Sequence, residues 1–253
     1  MSTRTASLAA LALGATAVVG QASAQTTVYD FSGLPHATVV TDQIPGLTIS
    51  ADNPNPNVED AAIIWDYSAR PDLADGGHFG PPWTTGNRPL DTVLGNGVTL
   101  LGNTSFTLEN RRPAGMLIFE FDEPVESLQF TVVDIEGPTE FRTDSGFFLD
   151  FFSGDDELGR VFFGDLLTPG NQFYDPTIEF ANGSINQIGP FLASDFGAQS
   201  FDEVRLSLGG SSTLAQITTQ GATAQPVPTP GAVAGGLGLM TLIAGRRRRQ
   251  SAD

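Results

Sequence analysis

The sequence contains no cysteine and no lysine. Without cysteine there is no thiol nucleophile, no thiolate zinc site and no disulfide, so the fold must rest on its core, with or without the help of a metal. Without lysine every basic side chain is an arginine. Between Gln25 and Gln225 seven arginines stand against 28 Asp and Glu, a net charge of −21 for that body. Such a surface repels nucleic acid and anionic lipid and attracts cations. A solvated acidic coat is the plain reading of it, and divalent-ion binding is the alternative.

Histidine is scarce as well: only His36 and His78 occur, and both read as loop residues. A Ser-based hydrolase needs a His beside a Ser on a strained turn, and no Gly-x-Ser-x-Gly is present. No phosphate-cradling Gly-rich loop and no His-Glu-x-x-His occur either. Asp155-Asp156-Glu157 lacks the alternating carboxylates and closing Glu of an EF-hand. A two-carboxylate glycosidase stays open as an alternative, because 28 carboxylates supply many chance pairs.

Both ends of the chain carry address-like segments. Arg4, an apolar stretch from Leu8 to Gly20, and Ala22-Ser23-Ala24 before Gln25 read as an export signal cleaved after Ala24. At the other end Val227-Pro228-Thr229-Pro230 precedes an apolar run from Gly231 to Gly245 and then Arg246-Arg247-Arg248-Arg249. Proline fixes φ and lacks a donor, so this order reads as extended spacer, membrane-seeking helix and cationic stop. Fifteen residues rise only about 22 Å as a helix, short of the roughly 30 Å hydrocarbon core, which favours a transient span over a permanent one.

The tail resembles the PEP-CTERM sorting signal, with Thr229 where the motif usually has Glu. That resemblance implies recognition by an exosortase-type enzyme, cleavage near the motif, and delivery to the cell surface, outer envelope or extracellular matrix. A plain C-terminal membrane anchor is the alternative. The organisation expected is therefore a signal peptide at 1–24, a domain at 25–220, a spacer and sorting motif at 221–230, and a hydrophobic helix with its Arg cluster at 231–253.

The body shows no long segment of 3.6-residue periodicity; it consists of short β-type runs separated by Gly, Pro, Asn and Asp. About twelve such runs predict an all-β fold, a two-sheet antiparallel sandwich of jelly-roll type. Alternation sets Leu117, Phe119 and Phe121 on one face of their run and Leu128, Phe130 and Val132 on one face of the next. Glu123-Pro124-Val125-Glu126 between them reads as a tight connection joining an antiparallel pair. Phe147 to Phe163 reads as a second hairpin. Eighteen Phe against three Tyr and two Trp point to aromatics that fill a core.

One interval breaks the rhythm, from Ser68 to Asn96, and a loop of that length in a compact domain is usually functional or disordered. It follows Trp65-Asp66-Tyr67 and is rich in Asp and Gly. Hard cations take six to eight oxygens from carboxylates and loop carbonyls, so Asp66, Asp72 and Asp75 are the candidate calcium ligands. The alternative is that these carboxylates cap their own turns.

The body resembles the β-sandwich modules of PEP-CTERM surface proteins, which are distantly like lectin jelly rolls. The resemblance lies in Val28-Tyr29-Asp30-Phe31-Ser32-Gly33-Leu34-Pro35, Ile44-Pro45-Gly46-Leu47-Thr48-Ile49-Ser50, Ile64-Trp65-Asp66-Tyr67-Ser68, Leu94-Gly95-Asn96-Gly97-Val98 and Val204-Arg205-Leu206-Ser207-Leu208. The two sorting signals and a β body without catalytic motifs lead to the expectation of a non-enzymatic surface or matrix protein, with extracellular polysaccharide as the candidate ligand. The last strand, Leu214-Ala215-Gln216-Ile217, lacks an acid that related modules often carry for metal. The expected partners are the export machinery, an exosortase and transiently the membrane, with no nucleic acid. A secreted glycan hydrolase and a purely structural matrix component are the competing readings.

Overall fold

The structure, a computed structural model, describes residues 25–66, 87, 96–100, 114–133, 147–179, 184–208 and 212–221. Eleven strands occur among them: β1 (Thr26–Asp30), β2 (Val39–Val40), β3 (Leu47–Asp52), β4 (Ala62–Asp66), β5 (Asn96–Leu100), β6 (Gly115–Val133), β7 (Phe148–Ser153), β8 (Asp156–Phe162), β9 (Ile185–Leu192), β10 (Phe201–Leu208) and β11 (Thr213–Gly221). Helical structure in the described residues amounts to α1 (Phe163–Leu167) and a 3-10 turn at Ala193–Phe196. Every strand pairing among them is antiparallel, so the all-β expectation holds.

The organising element is β6, whose 19 residues run through two neighbourhoods. Its first half pairs with β3 on one edge and β10 on the other, and β10 continues to β7 and β8. The second half pairs with β9 and β11, and β11 continues to β1 and to β5, β4 and β2. The expectation of a hairpin at Glu123-Pro124 is therefore corrected: the two apolar runs form one strand. Asp122, Glu123 and Pro124 are successively exposed, and the register against β10 slips between Phe201 and Glu203 at this place. Proline has no amide to donate and is tolerated in a sheet at such a bulge. The strand bends there, and the sheet curls.

The bend brings the inner faces of the two arms together. A small internal cavity, about 10 Å³, is lined by Phe119, Phe121 and Leu149 from one arm and by Leu128, Phe130 and Ile217 from the other. The alternation read from sequence thus names the core correctly on both halves of β6. Among the described residues nine phenylalanines are buried, and Phe151 packs with Phe191, Phe196 and Phe201 at centroid distances of 5.6, 4.5 and 5.2 Å. Each such ring removed from water stabilises the fold by about 1.5–3 kcal/mol. Where backbone crosses backbone only glycine fits. At Gly115, where β6 starts, φ is +136° and an added Cβ would lie 2.6 Å from the Asp52 carbonyl oxygen.

The Phe147–Phe163 hairpin is present, with a turn of two residues, Gly154-Asp155. Gly154 has φ of +58°, and the Asp202 carboxylate accepts its N–H at 2.9 Å. Another of the β-type runs in the sequence, Ser105–Glu109, lies outside the described residues. β2 was not legible as a strand, being two residues long.

Candidate functional site

β4 ends at Asp66 and β5 begins at Asn96, and these two residues, which bracket the acidic stretch, are partners in the β4–β5 register. Asp66 is half-buried, and its backbone N–H donates to His36 Nδ1 at 3.3 Å. The His36 ring stands edge-on to the buried Trp65, with centroids 5.1 Å apart. His36 is therefore a loop residue, as expected, fastened to the end of β4. Asp72, Asp75 and His78 lie outside the described residues. Among the described residues no group of three or more His, Asp or Glu is arranged to hold a metal. Ala22, Ala24, the sorting motif Val227–Pro230 and Arg246–Arg249 lie outside the described residues too, so the sequence alone speaks for them.

A second place gathers chemistry that sequence reasoning missed. On the outer face of the arm β3–β6–β10–β7–β8, register aligns residues across all five strands. One row runs Ser50, Ile118, Arg205, Asp150, Arg160; the next runs Asp52, Met116, Ser207, Phe148, Phe162. The flanking row is Thr48, Glu120, Glu203, Phe152, Glu157. The rows facing the opposite way hold Leu117, Leu149, Val161, Phe119 and Val204, all buried.

Two of the body's seven arginines lie on this face, each fixed by a carboxylate and a ring. Arg160 donates through Nε and one terminal nitrogen to the two oxygens of Asp150, at 2.5 and 2.7 Å. Its guanidinium lies 3.9 Å from the Phe148 centroid and 5.8 Å from that of Phe162. Arg205 donates to Glu203 and lies 4.2 Å from the Phe152 centroid. Asp150 is 4% exposed, whereas the arginine side chains keep 40% and 39% of their exposure. The hydrogen bond that Arg160 donates to Asp150 pushes its guanidinium above its ordinary pKa, so it is charged at every accessible pH.

Physically this is a preorganised surface. A guanidinium carries five N–H donors in a rigid fork; the carboxylate takes two from Arg160 and fixes the plane of the rest. Ring and guanidinium together make a flat layer with donors at its edge, while Asp52, Glu120 and Glu157 supply acceptors. The arrangement suits a ligand with apolar patches and many hydroxyls.

The sequence signal for it was present but misread. Phe147-Phe148-Leu149-Asp150-Phe151-Phe152 was assigned wholly to the core. The structure buries Phe147 and Phe151 and leaves Phe148 and Phe152 half-buried on the other face, as plain strand alternation about Leu149 and Asp150 dictates. A buried-looking Asp in the middle of that run was the available clue, since a carboxylate that deep requires a cation.

Comparison with known proteins gives no match: no family model, no curated protein and no solved structure is significantly similar, and the functional reading rests on the chain's own residues.

Proposed function

We propose that this is an exported, non-enzymatic protein of the cell surface or extracellular matrix, whose curled sheet forms a jelly-roll-type sandwich and whose outer face binds polysaccharide. The observation that carries the reading is the register-aligned layer of Arg160, Asp150, Phe148, Arg205, Phe152 and Glu203 on one face. Sugar rings present C–H faces that pack on planar groups and hydroxyls that pair with guanidinium and carboxylate edges. A sheet face with both, repeated at strand spacing of about 4.8 Å, offers successive contacts to an extended chain.

Export and sorting are supported by the two terminal segments, with Ala22 and Ala24 at the signal cleavage site and Val227–Pro230 as the sorting motif. Arg246–Arg249 would act as the stop signal, and an exosortase-type enzyme and the export machinery are the implied partners. The body's charge of −21 supports a polymer rich in hydroxyls over nucleic acid or anionic lipid. Calcium at Asp66, Asp72 and Asp75 belongs to the same proposal as an accessory ion.

Affinity electrophoresis of the chain in gels cast with neutral and acidic polysaccharides tests the binding. Retardation that Arg205→Ala abolishes, with the circular dichroism unchanged, supports the reading. Free migration in every gel contradicts it, and so does release of new reducing ends from the polymer, which would indicate a hydrolase.

A further inference from the structure

At the β6 bend lies a groove of about 240 Å³, separate from the outer face described above. Tyr29, Pro45, Asp122, Glu123 and Thr219 line it, and so does Gln25. Tyr29 is 7% exposed, with its ring 5.9 Å from Phe121 and its hydroxyl donating to the Gly46 carbonyl at 3.4 Å. Burial, together with the Asp122 carboxylate, holds the phenol above its ordinary pKa despite the hydrogen bond with Thr219, so it stays neutral. Asp122 and Glu123 are exposed and belong to the three-residue bulge. The groove is thus acidic, and one wall of it is the first residue after the expected signal cleavage site.

Gln25 is held there by backbone. Its carbonyl accepts the Gly221 N–H at 2.9 Å, and Thr26 pairs with Gln220 at the start of the β1–β11 ladder. Cleavage between Ala24 and Gln25 turns the Gln25 nitrogen from an amide into an α-ammonium without moving that anchor. The sequence has no lysine, so this is the sole primary amine of the mature chain.

We infer that removal of residues 1–24 creates a maturation-dependent ion pair, in which the α-ammonium of Gln25 occupies the groove at the β6 bend and is held by Asp122 and Glu123. The inference rests on the export reading. It ties the end of an edge strand, β1, to the bend of the central strand, so the contact forms only after processing. The groups that face the ammonium are the two carboxylates, both favouring its charged form, and the neutral Tyr29 phenol. The same contact opposes cyclisation of the N-terminal Gln. In that reaction the unprotonated α-amine adds to Gln25 Cδ, the Cδ–Nε2 bond breaks, and Nε2 leaves as ammonia with the amine's proton. An amine kept protonated is not a nucleophile.

The absence of lysine makes the test direct, because an amine-acylating probe reports on the chain's N-terminus alone. The chain from Gln25 to Asp253 is labelled at neutral pH beside Asp122→Asn/Glu123→Gln and beside the unmutated chain that retains Ala24. The chain starting at Gln25 is expected to label about three- to tenfold more slowly than both, since one pKa unit is tenfold in free amine. Mass spectrometry should show it losing ammonia more slowly than the double variant. Equal labelling of all three chains overturns the inference, and the Ala24 chain decides it even where the double variant fails to fold. N-terminal sequencing of the exported protein tests the premise separately: a start other than Gln25 removes the ion pair from the natural protein, whatever the labelling shows.

Discussion

Asp150 shows how one residue constrains its neighbours. A carboxylate 4% exposed, bonded twice to Arg160, leaves a buried charge unpaired if the arginine is truncated. Half-exposure of Arg160 lets water reach the gap, so Arg160→Ala should cost about 1–3 kcal/mol rather than the full penalty of a buried pair. Arg160→Lys should recover less than half, because an ammonium cannot make the two-point contact or stack on Phe148. Urea denaturation of the two variants checks this ordering. Tyr29 gives a pH dependence. Its folded pKa is raised, so the stabilisation it brings is fully present below the ordinary value of about 10 and is lost as pH rises through the folded value. Melting temperature should therefore fall above about pH 10 in the wild type and fall less steeply in Tyr29→Phe.

At the scale of the element, edges and bends matter most. Among the described residues β9 pairs with β6 alone, and the side chain of Asn87 covers part of its other edge. The Gln187 N–H donates to Asn87 Oδ1 at 2.6 Å, and Asn87 Nδ2 donates to the Gln187 carbonyl at 2.8 Å. The amide thus completes a backbone-like pair, and Asn87 Nδ2 also reaches Thr177 Oγ1. Asn87→Ala should remove about 1–3 kcal/mol from this edge and raise amide exchange at Gln187 at least tenfold, with little change in the β6–β10 ladder. Unchanged exchange at Gln187 would show that the amide contact contributes nothing in solution.

Sequence told the faces of β6 correctly but not its continuity. Leu117, Phe119, Phe121, Leu128, Phe130 and Val132 are all buried as alternation required. Whether Glu123-Pro124 turns the chain back or merely bends it depends on β3, β10, β9 and β11, which arrive from far along the chain. Local turn composition carries no trace of those partners. The outer face was illegible for a related reason: its rows exist only through register across five strands, and phenylalanines on both faces of β7 mask which face is inside. Asp66, by contrast, was placed correctly at the end of a strand, where the long loop begins.

For the whole molecule, a lysine-free and cysteine-free body of charge −21 depends on a phenylalanine-rich core and pays for its acidic coat in self-repulsion. Calcium should relieve that repulsion generally and, at Asp66, Asp72 and Asp75, specifically. A melting temperature that rises through millimolar calcium in wild type but not in Asp66→Asn marks the specific site; equal rises in both mark screening alone. A binding ion present at a hundredfold its Kd would add about 2.7 kcal/mol. The polysaccharide binding proposed for the face of Arg160 and Arg205 should be indifferent to chelator.

The most direct measurement is calorimetric titration of the wild-type chain with purified extracellular polysaccharide, repeated with Arg205→Ala and with chelator. Binding that persists in chelator and weakens about tenfold or more in Arg205→Ala is the expected result, as the loss of a charge-assisted hydrogen bond of about 1.5–3 kcal/mol. Binding unchanged by Arg205→Ala, or no heat with any polymer, would contradict a glycan-binding outer face.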